Sequence, residues 1–166
     1  YEQLSQELKD SLHEYYKVSN LENYDEVFRA VAFLTYKHGK IDYLESNNEY
    51  WLERDAKLRT EFHITTGFTE SDIAKVKYKS EMKAYYAKAG IPTARYHLVH
   101  DFDAAAAFAD RLGYPVVVKP DNGVGASATY KLKNEDDLYR FYADLPHVQY
   151  IMEEFINGLL VSYDGI

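Results

Sequence analysis

One stretch constrains this chain more than any other. Val116, Val117, Val118, Lys119 and Pro120 run directly into Asp121, Asn122, Gly123, Val124, Gly125, Ala126 and Ser127. The run from Tyr114 to Val118, with three consecutive β-branched valines, reads as a buried strand, and the residues after it read as a glycine-bearing loop. A strand that delivers one lysine beside two glycines is a device for holding phosphate. The glycines let backbone N–H groups approach oxygens, and the ammonium supplies charge.

Other readings of the stretch exist. It could be an ordinary hairpin loop with an edge lysine. A Walker loop is excluded, because that motif needs Gly-Lys-Ser/Thr after the glycines and Lys119 precedes them. Gly123, Gly125 and Ala128 also spell GxGxxA, the dinucleotide fingerprint, with Asp144 downstream for a ribose contact. That fingerprint must open a helix, however, and ATYKL at 128–132 alternates like a strand.

The rest of the chain supports a folded α/β protein. It has 166 residues, of which 46% are hydrophobic and only 12 are Gly or Pro, enough apolar material for one ordinary domain or two small ones. Lys and Arg number 19 against 27 Asp and Glu. A net charge of −8 argues against nucleic acid as a partner, since polyanion binding needs clustered positive charge. Small anions need only a few placed lysines. Zero Cys excludes disulfides, thiolate metal sites and cysteine nucleophiles, and fits a reducing cytoplasm. No apolar run approaches a membrane span.

Helical spacing predicts a helix from Leu4 through Leu8 and Leu12 to Tyr15 and Tyr16, and another from about Asp25 to His38 stopped by Gly39. Ile41 to Leu44 is a short extended candidate, and Asn47 and Asn48 cap a helix running to about Phe62. This helix, strand, helix order suggests an open α/β layer. Lys79 to Ala89 is helical and ends at Gly90, Ile91, Pro92. Arg95 to Val99 alternates like a strand. Asp103 is expected to cap a helix ended by Gly113, a strand covers Ala128 to Leu132, Asn134 caps a helix to about Leu145, and Gln149 to Phe155 is extended.

Two further elements bear on function. Lys75, Lys77, Lys79, Lys83 and Lys88 cluster around one helix start, and Lys79 and Lys83 share a face at i, i+4, which is unfavourable unless an anion sits there. Tyr150 to Gly158 is an extended apolar run interrupted by Glu153 and Glu154. His97 and His100 form HxxH, but three residues apart on a strand they face opposite ways, so no metal site is assigned.

Taken together, these elements resemble the ATP-grasp superfamily of biotin carboxylase, carbamoyl-phosphate synthase and D-alanine:D-alanine ligase. Its helix-opening lysine followed by Gly-Ile/Val-Pro matches Lys79 with Gly90, Ile91 and Pro92. Its Tyr-Pro-Val-Val-Val-Lys-Pro and glycine loop match Tyr114 to Ser127, and its Glu-Glu-Phe/Tyr-Ile clamp matches Glu153, Glu154, Phe155 and Ile156. The resemblance implies a truncated Rossmann-like pre-ATP-grasp domain at 1–78, incomplete at its start, and the N-terminal, lid half of an ATP-grasp domain at 79–166, incomplete at its end. Tyr1 in place of Met and an end at Ile166 straight after a strand-like run lead to the same expectation.

By that resemblance, Lys79 and Lys119 hold the phosphates of ATP, and Gly123, Gly125, Ala126 and Ser127 belong to a lid that closes over them. The adenine meets the main chain at Glu153 and Ile156, with Phe155 positioning that strand. Leu159 and Leu160 stand where many relatives carry a ribose-binding Glu, leaving Ser162 and Asp164 as candidates. The parent protein would be an ADP-forming ligase that activates a small-molecule carboxylate as an acyl phosphate for an amine, thiol or other nucleophile. Magnesium and its ligands are expected outside this chain, no catalytic residue is assigned within it, and a homodimer is possible. The alternative is a nucleotide-binding or interaction module without catalysis.

Overall fold

A computed structural model of the chain describes residues 2–123, 128–145, 147–159 and 161–162. The chain divides into two compact units, Tyr1–Ile73 and Ala74–Ile166.

In the first unit the described elements are helical. Helix α1 (Gln6–Ser11) is capped by the Ser5 side chain and is far shorter than the leucine spacing predicts. Leu8 and Leu12 remain 45% and 37% exposed, so the stripe has no core to pay for further turns. Helix α2 (Tyr24–His38) matches its expected bounds, with Asn23 capping its start and Gly39, at φ 87, closing its end. A 3-10 turn at Glu49–Trp51, capped by Asn48, leads into α3 (Leu52–Glu61). Val27, Val31 and Leu58 form the small core, with Tyr24, Ile41, Leu44 and Phe62 packed against it.

The strand expected at Ile41–Leu44 does not form, and no strand occurs among the described residues of this unit. Side chains hold that segment instead. Buried Arg59 donates from Nε and Nη2 to the Leu44 carbonyl at 3.0 and 2.7 Å, from Nη1 to the Phe68 carbonyl at 3.0 Å, and pairs with Glu45 at 2.9 Å. Buried Asp55 accepts from the Ser46 hydroxyl at 2.5 Å and the Ser46 N–H at 3.1 Å. The Leu44 carbonyl is thus satisfied by a guanidinium rather than by a partner strand.

The second unit is a helix-covered antiparallel sheet. In order come α4 (Ala74–Lys77), α5 (Lys79–Lys88), β1 (Tyr96–Val99), α6 (Phe102–Leu112), β2 (Val116–Pro120), β3 (Tyr130–Leu132), α7 (Glu135–Ala143) and β4 (Tyr150–Glu154). The spatial order is β1-β4-β2-β3, and each neighbouring pair is antiparallel. Helix α6 is capped by Asp101, which accepts from Ala104 N–H at 2.8 Å; the expected cap, Asp103, lies inside the first turn. Asn134 caps α7 as expected.

Alternation sorts the sheet into two faces. Val116, Val118, Tyr150, Met152 and Val99 join Ala105, Phe108 and Ala109 of α6 and Leu138 and Phe141 of α7 in one buried core. The opposite face carries Val117, Lys119, Ile151 and Glu153, since Val117 pairs with Glu153 and Lys119 with Ile151. This second face is the one that meets α5.

Candidate functional site

Lys119 and Glu153 are diagonal neighbours across the β2–β4 ladder, close enough for long side chains to meet. The Lys119 ammonium lies 2.6 Å from Glu153 Oε2. The other oxygen, Oε1, is 3.0 Å from the Lys83 ammonium, and Lys83 also donates to the Ala94 carbonyl at 2.9 Å. Side chains of Lys83 and Glu153 are each 10% exposed, against 27% for Lys119. Two ammonium groups thus share one carboxylate, leaving one positive charge in excess, with Lys119 on the open side. The anion that the Lys79, Lys83 spacing calls for is, at Lys83, a side chain of this protein.

Lys79 stands one helical turn before Lys83 on α5. Its ammonium donates to the Asp121 and Gly123 carbonyls at 3.2 and 2.8 Å, and its own N–H donates to Asp121 O at 3.0 Å. Asp121 in turn accepts from Ser80, N–H to Oδ1 at 2.8 Å and hydroxyl to Oδ2 at 2.6 Å. The residues after β2 are therefore fastened to the first turn of α5, whose unpaired N–H groups welcome a carboxylate. Pro120 to Gly123 forms a turn, with Gly123 N–H on Pro120 O at 3.4 Å. A side chain at Gly123 would meet Pro120 Cβ at 2.9 Å, so this turn closes only on glycine. Below it, Tyr78, Pro120, Asn122, Gly123, Val148 and Gln149 line a cavity of about 430 Å³.

Of the residues predicted from sequence, Lys119 and Glu153 meet on one sheet face, while Lys79 reaches the loop stem after β2 at Asp121 and Gly123. Gly125, Ala126 and Ser127 lie outside the described residues. Glu154 turns away to Arg95, accepting from its N–H at 3.1 Å and its Nε at 2.5 Å; these bonds hold the carboxyl below its ordinary range. Phe155 lies under the Lys131 ammonium, 3.6 Å from its ring centroid, and Ile156 is 65% exposed. Leu159 is exposed, Ser162 is also exposed, and Leu160 and Asp164 lie outside the described residues. The dinucleotide fingerprint fails structurally, since β3 rather than a helix follows Ala128 and Thr129.

The sequence reading assigns no role to Asp121 or Ser80, and Lys83 enters it only through its i, i+4 spacing from Lys79. Asp121 was legible only as a polar turn residue, because its partner lies 41 positions away. His97 faces the α6 core, its ring stacked 5.4 Å from Phe108 and its buried Nε2 unpartnered among the described residues. His100 lies beyond the end of β1. Burial, then the neighbouring His100, pushes the His97 imidazole below its ordinary range.

Residues 78–147 match the family described as the carbamoyl-phosphate synthase L chain, ATP binding domain. The match covers less than half of the chain and agrees with the ATP-grasp resemblance of its motifs. A carbamoyl phosphate synthase large chain of Paenarthrobacter aurescens (strain TC1) is 33% identical over 84 residues, covering 48% of this chain and 8% of that protein. An L-arginine-specific L-amino acid ligase of Bacillus subtilis is 29% identical over 116 residues, covering 68% of this chain and 28% of the ligase. This chain therefore spans only a small part of either relative. A likeness in fold extends further: the biotin carboxylase domain of Hydrogenobacter thermophilus 2-oxoglutarate carboxylase, solved as a dimer with MgADP and bicarbonate, superposes with a TM-score of 0.68 at 23% identity, covering 86% of this chain and 34% of that one.

Proposed function

We propose that this chain is the nucleotide-binding part of an ADP-forming ligase, with Lys79 and Lys119 as phosphate contacts and the glycine loop, including Gly125, Ala126 and Ser127, as the cover over them. The observation that carries this reading is the Lys119 ammonium. It is partly exposed, sits in a cluster with one positive charge in excess, and among the described residues has Glu153 as its partner, so two of its three N–H groups remain for phosphate oxygens. Lys79, now on two carbonyls of the loop stem, would exchange these for phosphate as the loop closes and shuts out water.

The adenine would lie along the chain from Glu153 through Glu154 and Phe155 to Ile156, held by main-chain groups. In the parent protein, a carboxylate oxygen attacks the γ-phosphorus, ADP leaves, and an amine or other nucleophile displaces phosphate from the acyl phosphate. The protein's part in such a step is positioning and charge stabilisation. Among the described residues no group of three His, Asp or Glu side chains gathers as metal donors, and we assign no magnesium ligand. Segments 1–78 and 79–166 would then be a pre-ATP-grasp domain and a lid-bearing half domain, a boundary a few residues after the one between the two compact units. A cysteine-free chain drawing on ATP suits the cytoplasm, and none of the described helices is long and apolar enough to cross a membrane. Homodimerisation, seen in the Hydrogenobacter domain, is part of the proposal.

Calorimetric titration of the 166-residue chain with ATP, ADP and adenosine tests the reading. Binding that strengthens with each added phosphate supports it. Absence of nucleotide binding, or equal affinity for adenosine and ADP, contradicts it.

A further inference from the structure

Glu153 enters the reading above through its main chain, yet its side chain is the most heavily engaged polar group on this sheet face. It is 7% exposed as a residue, and each carboxylate oxygen faces a different ammonium, Lys83 at 3.0 Å and Lys119 at 2.6 Å. The two cations are held unequally. Lys83 is buried, spends a second N–H on Ala94 O at 2.9 Å, and lies near the Tyr96 ring, 5.6 Å from its centroid. Lys119 is the more exposed and has no comparable second anchor among the described residues.

We propose that the Glu153 carboxylate is a positioning residue for nucleotide phosphate: fixed by Lys83, it holds the Lys119 ammonium in place beside the glycine turn. The inference rests on the nucleotide-binding reading and adds a side-chain role to it. A lysine free to rotate loses conformational freedom when it meets a phosphate, whereas one already held on a carboxylate has lost it beforehand. Glu153 does not neutralise the site, because Lys83 balances its charge and the charge of Lys119 is left over. Lys83 thus serves by its distance from the ligand, and Lys119 by its reach toward it.

The test uses the 166-residue chain and calorimetric Kd values for ADP and adenosine, in the native protein, Glu153→Gln, Lys119→Met and the double variant. The native protein is expected to prefer ADP, and Glu153→Gln to weaken ADP by about tenfold while changing adenosine less than about twofold, in line with a charge-assisted contact. In the Lys119→Met background Glu153→Gln should cost less than about twofold, because its effect passes through the missing ammonium. Equal losses for ADP and adenosine, or an undiminished loss in the Lys119→Met background, overturn the proposal and leave Glu153 a structural residue. A native ADP preference that Glu153→Gln leaves intact overturns this inference alone. A native chain that binds neither ligand overturns the nucleotide reading and this inference with it. Should Glu153→Gln not fold, lysine-ammonium NMR of the native chain decides the matter. A protected Lys119 signal, assigned by its loss in Lys119→Met, should shift with ADP and not with adenosine; a signal exchanging at the solvent rate overturns the proposal.

Discussion

The Asp121 carboxylate accepts two hydrogen bonds from Ser80, one from its N–H at 2.8 Å and one from its hydroxyl at 2.6 Å. Asp121 follows β2 and Ser80 is the second residue of α5, so one side chain ties the lysine-bearing strand to the lysine-bearing helix. Asp121 is 3% exposed, and its removal strands a helix N–H and a hydroxyl. Asp121→Ala should lower stability by about 1–3 kcal/mol, read from urea unfolding, with Asp121→Asn less damaging. An unfolding midpoint that does not move in Asp121→Ala would show that this tie does not hold α5.

Arg59 plays the equivalent part in the first unit. Its buried guanidinium organises Leu44, Glu45 and Phe68 through four contacts of 2.7 to 3.0 Å, and Gly67, at φ +94, leaves space where a Cβ would meet Arg59 Nε at 3.0 Å. Arg59→Leu should destabilise the unit by about 3–5 kcal/mol, since Glu45 and two carbonyls lose their donor. Arg59→Lys should recover little, because an ammonium cannot span the planar fork. Thermal unfolding followed by circular dichroism distinguishes the three proteins.

His97 gives the chain an acid-sensitive core. Its imidazole is held below its ordinary range by burial against α6, so the native state favours the neutral ring. The stabilising contribution is complete above the unfolded-state value, about 6.5, and is lost as pH falls, because the unfolded chain takes up the proton first. His97→Phe should therefore flatten the decline in melting temperature between about pH 7 and pH 5. An unaltered slope would mean that His97 does not titrate with folding.

Gly123 allows a turn that alanine does not. The Cβ of Gly123→Ala would fall 2.9 Å from Pro120 Cβ, inside contact distance, so the turn must move and carry the Lys79 acceptor on Gly123 O with it. A loss of about 1–2 kcal/mol is expected, together with weaker ADP binding. Calorimetry on the variant measures both.

The strand that carries Lys119 and the strand that carries Glu153 and Glu154 were legible because their signals are local: a β-branched run with a lysine at its end and glycines beyond, and paired acids in a later apolar run. Strand alternation alone places Lys119 on the face opposite Val118, and the diagonal contact with Glu153 follows once β2 and β4 are known to pair. That pairing is not visible in one sequence, because it joins positions more than 30 residues apart, as in Lys119 and Ile151. Asp121 and Ser80 were missed for the same reason. The strand expected at Ile41–Leu44 failed differently, since its local pattern was adequate but the Leu44 carbonyl is taken by Arg59 and not by a neighbouring strand. The long first helix failed because periodicity reports a stripe of leucines and not whether anything covers it.

Phosphate-dependent binding by Lys119 is the claim on which the functional account stands, and one comparison tests it. The affinity of the 166-residue chain for ADP is measured beside that of Lys119→Met, with adenosine as the phosphate-free control. The account predicts that the variant loses about ten- to a hundredfold in ADP affinity, as expected for one charge-assisted phosphate contact, with adenosine binding and melting temperature little changed. Equal ADP affinity in the two proteins would contradict it.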